Sequence, residues 1–237
     1  MSRDIHFAVA KVSKYATSES GDTLEMIERP HGGISFVLVD GQRSGKSAKA
    51  ISNIVARKAI QLLAEGVRDG AAARAAHDYL YTNRKGKVSA TLNILSVDAE
   101  TKTFVISRNN EAPVIVHTPE GGLWLLDEPC HSVGTQRNTK PIITELPIVE
   151  GTTIVIFTDG LRHAGDLSGI NTYDPVTAVV RMIADGITNA QVMADTLLAE
   201  ALAKDNGRPR DDISVLVAHV RPEQGHDIRR MEVHLPL

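Results

Sequence analysis

The segments ISFVLVDG (34–41), TIVIFTDG (153–160) and DDISVLV (211–217) each join strand-forming residues to aspartate. Two strands are predicted to end at their aspartate, Asp40 and Asp159, and a third to begin after Asp211. In a mixed or antiparallel sheet, these three carboxylates would meet at one edge. Crowded carboxylates repel one another in a partly desolvated cleft, so the pattern favours a site for a hard divalent cation such as Mg²⁺ or Mn²⁺.

The composition is that of a globular protein with an aliphatic core. The chain has 237 residues, of which 42% are hydrophobic and only 4% aromatic, enough for one large domain or two small ones. The formal net charge is -3 and no dense Lys/Arg block occurs, so nucleic acid is not expected as a partner. The sequence has no signal pattern and no apolar run of roughly 18 residues, so we expect no membrane association.

Cys130 is the single cysteine of the sequence. An internal disulfide is therefore excluded, and the cysteine usage fits a reducing compartment, which predicts a cytoplasmic location. We interpret Cys130 as a small buried apolar residue rather than a nucleophile.

Apolar periodicity predicts helices in two blocks, with strands before and after each block. The helices are predicted from Lys46 onward, over Ala71 to Leu80, over Pro175 to Ile187 and over Ala190 to Lys204. Between the blocks, short β segments separated by turn residues predict a meander of antiparallel strands from Val88 to Leu126.

This arrangement predicts an α+β fold in which two packed, mainly antiparallel β-sheets are flanked by helices. Residues 1–221 are expected to form a single domain. Residues 222–237 would be a C-terminal tail, in which Met231 to Leu235 alternate like a further strand.

Gly45-Lys46-Ser47 lies between a strand and a helix, as in a phosphate-binding P-loop. The spacing does not fit that motif, because Asp40 occupies the place of its first glycine and a carboxylate would repel phosphate. A nucleotide-binding function depending on Lys46 therefore stays only as a minor alternative. Gly41 and Gly45 instead suit a tight turn in which the Gly41 carbonyl approaches a cation.

Five short motifs occur in a fixed order: Ser20-Gly21-Asp22, Val39-Asp40-Gly41 followed by Gly45, Ser89-Ala90-Thr91, Thr158-Asp159-Gly160 and Asp211-Asp212-Ile213-Ser214. Together they resemble the metal-dependent serine/threonine protein phosphatases of the PPM (type 2C) family, in particular its SpoIIE-like branch. Asn109–Pro113 is similar to the Asn-Ala-Gly-His-Pro turn of that branch, with Glu111 as a departure. In its small size, the chain is most similar to stand-alone stress-response phosphatases of the RsbX type.

The resemblance implies a site for two Mn²⁺ or Mg²⁺ ions. Asp40 would bridge the ions, and the Gly41 carbonyl would bind one of them. Asp159 and Asp211 would complete the other ion's shell, Asp22 would hold water beyond the direct ligands, and Asp212 would also lie outside them. Asp40, Asp159 and Asp211 would thus be the catalytic residues, supporting in-line attack of an activated water on phosphorus.

Two positions depart from the family pattern. Gln42 stands where many members have a histidine suited to protonating the leaving group, so water, His31 or His163 would have to take that role. The phosphate-binding arginine upstream of the first acidic motif is missing, and of the nearby Lys11 and Lys14 we favour Lys14.

The resemblance implies a phosphorylated protein substrate, such as a STAS-domain regulator of a bacterial sigma-factor stress pathway. An alternative is a binding module of the same fold that has lost efficient catalysis, which Gln42 and the missing arginine would explain.

Overall fold

The computed structural model describes residues 3–166, 172–222 and 228–235, which contain ten β-strands and five α-helices. The strands are β1 (Arg3–Val12), β2 (Asp22–Glu28), β3 (Ile34–Gly41), β4 (Ala90–Asp98), β5 (Thr103–Asn109), β6 (Val114–Thr118), β7 (Gly122–Leu126), β8 (Ile142–Pro147), β9 (Thr153–Phe157) and β10 (Ile213–Pro222). The helices are α1 (Gly45–Ala64), α2 (Asp69–Arg84), α3 (Gly160–His163), α4 (Pro175–Ala184) and α5 (Ala190–Lys204).

The strands form two five-stranded sheets. Sheet I has the order β1-β10-β9-β6-β7 and sheet II the order β2-β3-β4-β5-β8. All neighbouring strands are antiparallel. The sheets pack face to face through a buried layer that includes Phe36 and Leu38 of sheet II and Ile154, Ile156 and Leu216 of sheet I.

Helices cover the outer face of each sheet, because successive strand residues point to opposite sides. In β3, Val37 and Val39 belong to the cluster that includes Val55 and Leu63 of α1. On the other side of the molecule, Val215 and Val217 of β10 pack in one cluster with Met193 and Leu197 of α5. The predicted sandwich of two antiparallel sheets flanked by helices is therefore confirmed.

The predicted meander is wrong at its centre. Strands β4 and β5 pair in sheet II, whereas β6 and β7 pair in sheet I, so the chain crosses between the sheets at residues 110–113. Strand β8 was not predicted. It is an edge strand that ends at Pro147, and a proline is tolerated at an edge because no ladder hydrogen bond is lost there.

The sequence predicted that the acidic segments would meet at the edge of one sheet. That prediction is wrong. Asp40 ends a strand of sheet II, whereas Asp159 and Asp211 flank strands of sheet I. They approach one another because these strand ends lie at the same end of the sandwich, so the site is built across both sheets.

The predicted strand at Met231 to Leu235 is not present in the structure, where residues 228–235 have no regular secondary structure. Arg229 forms an exposed ion pair with Glu28 and donates a hydrogen bond to the Gly32 carbonyl at 3.3 Å. The other tail residues, 223–227 and 236–237, lie outside the described residues. Among the described helices, none is long and apolar enough to cross a membrane.

Candidate metal centre

Three of the predicted carboxylates share one cavity at the end of the sandwich. Asp40, Asp159 and Asp211 lie in its wall, and its volume is about 480 Å³. The remaining wall is formed by polar, basic and small residues: Lys14, Gly41, Gln42, Arg43, Ser44, Ser89, Ala90, Thr91 and Ser132. The structure thus brings Asp40 together with two acidic residues that follow it by more than 100 positions in the sequence.

Asp22 lies behind this cavity, between the two sheets. It is the direct cross-strand partner of Asp40 in the β2–β3 ladder and has no exposed surface. Its Oδ2 accepts hydrogen bonds from Thr158 Oγ1 at 3.0 Å and Ser214 Oγ at 2.6 Å, both from sheet I. A carboxylate of sheet II therefore ties the sheets together at the acidic end.

The second oxygen of Asp22, Oδ1, is buried and accepts no hydrogen bond from the described residues. A buried acceptor without a partner carries a desolvation penalty of roughly 1–3 kcal/mol. A water or cation at the cavity would remove that penalty, so this oxygen fits a site that takes a further donor.

Burial and mutual repulsion disfavour the ionised carboxylates. Burial, together with the negative charges of Asp22, Asp159 and Asp211, raises the pKa of Asp40 to about 10. Burial raises the pKa of Asp22 to about 6, even though its hydrogen bonds to Ser214 and Thr158 act in the opposite direction. Burial also raises the pKa of Asp211. Such a cluster is stabilised by a positive counter-charge, which is the electrostatic condition of a divalent cation site.

Two glycines allow the acidic loops to come close to neighbouring backbone. A Cβ on Gly41 would lie 2.1 Å from the Ala48 carbonyl oxygen of α1, and one on Gly160 would lie 2.2 Å from the Asp212 carbonyl oxygen. The P-loop alternative is disfavoured because Asp40, at the place of that motif's first glycine, lines a cavity with Asp159 and Asp211. Gly45 has a φ of 67° and provides the turn into the helix.

Asp212 accepts hydrogen bonds from two main-chain amides next to the site. Its Oδ1 accepts from the Lys14 amide at 2.9 Å and its Oδ2 from the Gly21 amide at 2.8 Å. Both oxygens are thus engaged by main-chain amides, and they fix the segment that carries Lys14 and Asp22.

A family model that covers most of the sequence identifies the family of the chain. The model of the family described as stage II sporulation protein E (SpoIIE) matches residues 30–221. This chain belongs to the SpoIIE family. It carries a SpoIIE-type PP2C/PPM phosphatase domain, as the resemblance in the sequence indicated. No curated protein matches the sequence.

Solved structures of this fold agree with the family. The PP2C phosphatase domain of SpoIIE from Bacillus subtilis, with a fragment of its regulatory domain, is 17% identical with a TM-score of 0.80; the match covers 94% of this chain and 64% of that one. RsbX in complex with magnesium is 17% identical, with a TM-score of 0.68 and coverage of 91% and 95%. The catalytic domain of the serine/threonine phosphatase PstP with two manganese ions is 16% identical, with a TM-score of 0.68 and coverage of 93% and 100%.

Lys14, the residue favoured for phosphate binding, lies in the wall of the acidic cavity of this SpoIIE-family domain. Lys11 is engaged elsewhere, since its Nζ donates to the main-chain carbonyl of Asp22 at 2.6 Å. Lys49 of α1 donates to the same carbonyl at 2.7 Å. Two ammonium groups therefore hold the backbone of Asp22, and Lys14 is left to face the cavity.

Arg43 is a second cation in the cavity wall, and the sequence reasoning missed it. Its φ is 76°, a left-handed conformation that is strained for an arginine. Within the described part of the chain, none of the hydrogen bonds or ion pairs involves its guanidinium. A sequence signal was available, because Arg43 lies between Gly41 and Gly45 in the loop that directly follows Asp40.

The candidate histidines lie at opposite ends of the fold. His163 is beside the cluster, with its Nδ1 3.9 Å from Asp159 Oδ2. His31 lies in the turn between β2 and β3, at the end of these strands remote from Asp22 and Asp40, which removes it as a proton donor for this site. Gln42 lines the cavity and is bound to Ser89: its main-chain N–H donates to the Ser89 carbonyl at 3.0 Å, and its side-chain Oε1 accepts from the Ser89 main-chain N–H at 3.3 Å.

The Asn109–Pro113 turn is hydrogen-bonded to the segment that contributes Ser132 to the cavity wall. Asn110 Oδ1 accepts from the Ala112 amide at 3.0 Å, and Asn109 Nδ2 donates to the His131 carbonyl at 2.9 Å, next to Ser132 in the cavity wall. Cys130, in the same segment, is buried, as the sequence predicted.

Among residues 3–166, 172–222 and 228–235, no three histidine, cysteine, aspartate or glutamate side chains are placed to hold one ion between them. The carboxylate and carbonyl oxygens of the cavity wall are the ligand type that Mg²⁺ binds together with water, so the donor set of the cavity fits a hard divalent cation.

Proposed function

We propose that this protein is a metal-dependent phosphatase that hydrolyses phosphoserine and phosphothreonine in a protein substrate. The observation that carries the proposal is the meeting of Asp40, Asp159 and Asp211 in one cavity that also contains Lys14 and Arg43. Carboxylates suit divalent cations, and the two basic side chains suit a phosphate group beside them. Membership of the SpoIIE family supports the same reaction.

The proposed ligands of two Mn²⁺ or Mg²⁺ ions are Asp40, the Gly41 carbonyl, Asp159 and Asp211, with Asp22 holding water behind them. Ions bound here would lower the pKa of water and neutralise charge on the phosphoryl oxygens. The contribution of Asp22 comes from its fixed position, because Thr158 and Ser214 hold one of its oxygens and leave Oδ1 for a water.

The basic residues would bind the substrate phosphate. The main-chain amide of Lys14 donates a hydrogen bond to Asp212 Oδ1, and Arg43 lies in the loop between Gly41, which packs against Ala48, and the start of α1. An arginine offers two parallel donors to a phosphate, whereas a lysine acts as a point charge. His163, beside Asp159, would hold the proton for the leaving serine or threonine oxygen.

We extend the proposal to a regulatory phosphoprotein of a bacterial stress pathway in the cytoplasm, such as a STAS-domain protein. Similar structures include the RsbU and RsbW domains of a Mycobacterium tuberculosis protein, 16% identical with a TM-score of 0.69. A structure from a study of the bacterial stressosome, 16% identical with a TM-score of 0.66, is also similar. These similar structures are the reason to test phosphorylated STAS-domain regulators as the first protein substrates.

The test is hydrolysis of an aryl phosphate and of phosphoserine and phosphothreonine peptides by the purified protein. Reactions with Mn²⁺, with Mg²⁺ and with chelator are compared for wild type and Asp40→Ala. We expect turnover that requires the cation and is lost in the variant. Turnover of folded Asp40→Ala at the wild-type rate would contradict the role of Asp40.

The alternative is a binding module of the same fold, which the glutamine at position 42 favours. That residue lines the cavity but has no proton to give to a leaving group. The binding module predicts cation binding without hydrolysis of either substrate. In that case, Gln42→His would be the first variant to assay for recovered turnover.

A further inference from the structure

A second cavity lies on the outer face of the α1–α2 helix pair. Its volume is about 540 Å³, within the range of sites for small ligands. Its lining is one stripe of α1 together with two residues of α2: Ala50, Asn53, Ile54, Arg57, Lys58, Gln61, Tyr79 and Arg84. The α1 residues recur at helical spacing, so their side chains project from a single face. We call this cavity the helix-pair groove.

The groove is strongly basic. Arg57, Lys58 and Arg84 contribute three positive charges, and no acidic side chain belongs to the lining. None of these three cations forms an ion pair with a carboxylate among the described residues. Lys58 instead places its Nζ 5.8 Å from the ring centre of Tyr79. The groove therefore holds three positive charges that lack a negative partner.

Two side-chain amides add neutral donors. Asn53 Oδ1 accepts from Thr23 Oγ1 at 2.8 Å, which fixes the amide so that its NH₂ group remains for another partner. Gln61 also lines the groove and reaches Glu65 at its rim through a 3.5 Å contact. Cations and amide donors, in a lining that contains no carboxylate, are the groups that bind phosphate oxygens.

We infer that the helix-pair groove is a binding site for a small ligand with two or more phosphate groups. One phosphate would leave part of the positive charge without a partner, whereas a diphosphate matches three cations more closely. The groove has no lining residue in common with the acidic cavity. The inference therefore does not depend on the proposed phosphatase activity.

The experiment measures binding of inorganic pyrophosphate to the 237-residue chain by calorimetry, with Mg²⁺ and again with chelator. Binding in the groove needs no metal, because its lining contains no carboxylate, whereas phosphate binding at the acidic cavity requires cations. Orthophosphate is the comparison ligand. The variants are Arg57→Gln combined with Arg84→Gln in the groove, Arg43→Gln in the acidic cavity, and Arg74→Gln on the exposed part of α2 outside both.

We expect pyrophosphate to bind with and without Mg²⁺, more tightly than orthophosphate and less tightly as salt is raised. Loss of two charged donors should weaken binding by roughly a hundredfold, since each is worth about tenfold or more. Arg74→Gln, which also removes a positive charge, should bind like wild type. The inference would be overturned if pyrophosphate did not bind, if the groove double variant bound it as tightly as wild type, or if only Arg43→Gln lost binding. Far-ultraviolet circular dichroism of the double variant excludes unfolding as the cause.

Discussion

The two ends of sheet I carry titratable side chains of opposite type. At one end are Asp159 and Asp211, next to Asp22 and Asp40 of sheet II. At the other end, a row of paired positions crosses four strands: His6 opposite His219, His219 opposite Thr153, and Thr153 opposite His117. One sheet thus carries an acidic end and a histidine end.

Burial favours the neutral form at both ends, but with different consequences. Burial and Arg221 lower the pKa of His6, and burial, His6, Arg221 and His117 lower that of His219. A neutral imidazole is close to its ordinary state at pH 7, and His219 Nδ1 has a partner in Thr153 Oγ1 at 2.9 Å. The neutral forms of His6 and His219 therefore need no counter-charge at the histidine end, although His6 Nδ1 and His117 Nδ1 are buried without a hydrogen-bond partner among the described residues.

The acidic end has no such solution. A carboxylate has an ordinary pKa near 4, so keeping several of them neutral at pH 7 is costly. The contrast teaches that burial of charge alone does not mark a functional site. What distinguishes the acidic end is that burial, mutual repulsion and an open cavity occur together, so that a cation can enter and compensate.

The largest expected effect follows from removing one charge at the acidic end. Asp40→Asn should lower phosphatase kcat/KM by roughly a thousandfold or more, because cation stabilisation of the reacting phosphate is worth several kcal/mol. In chelator, the same variant should be more stable than wild type, since one of four repelling carboxylates is gone. Enzyme assays and thermal unfolding measure the two effects. A destabilised Asp40→Asn protein in chelator would show that the carboxylates do not repel one another as described.

Cation binding should stabilise the wild-type fold. At a Mn²⁺ concentration one hundred times Kd, the free energy of unfolding should rise by about 2.7 kcal/mol. The measurement is the unfolding temperature over a Mn²⁺ titration. The stabilisation should be absent from Asp40→Asn and retained by His219→Gln, which changes only the histidine end. An equal Mn²⁺ effect on all three proteins would place the cation elsewhere.

Arg43 should matter for substrate binding more than for folding. Arg43→Gly should reduce kcat/KM by roughly 10- to 100-fold, the value of a hydrogen bond to a charged group. Stability should change by less than about 1 kcal/mol, because glycine relieves the left-handed strain but gains entropy in the unfolded chain. Arg43→Lys should recover part of the activity. A large loss of stability with unchanged kcat/KM would instead assign Arg43 a structural role.

Local pattern was sufficient for much of the fold. The short hydrophobic run at residues 34–39 and the helical spacing from Ile51 to Leu63 predicted β3 and α1, since these signals come from neighbouring residues. The strand partners could not be obtained in this way. The pairing of β1 with β10 joins the two ends of the chain, and the crossing from β5 to β6 has no local signature.

The site was predictable to the extent that its residues are marked by type and position. Asp40, Asp159 and Asp211 were marked because each is adjacent to a strand. The burial of Asp22 between Thr158 and Ser214 depends on how the two sheets meet, which no local pattern encodes. The left-handed backbone of Arg43 was also hidden, because the residue type does not favour it.

The smallest predicted effect is the change of folding stability with pH, which differs in direction between the acidic end and the histidine end. The lowered folded-state pKa of His219 means that the unfolded chain takes up a proton near pH 6.5 before the folded protein does. Its stability contribution is therefore full above pH 6.5 and is lost as pH falls below that value. The raised pKa of Asp40 acts in the opposite direction in metal-free protein, where the folded state becomes more stable as pH falls from 10 toward 4.

The histidine contribution can be isolated by subtraction. Urea unfolding of wild type and His219→Gln in chelator between pH 7.5 and 5 has the acidic end in common, so its effect cancels in the difference. Wild type should lose stability relative to the variant as pH falls, with a slope of at most about 1.4 kcal/mol per pH unit for one proton. A difference that does not change with pH would mean that His219 titrates alike in the folded and unfolded states, and that the histidine end is not the buried counterpart of the acidic one.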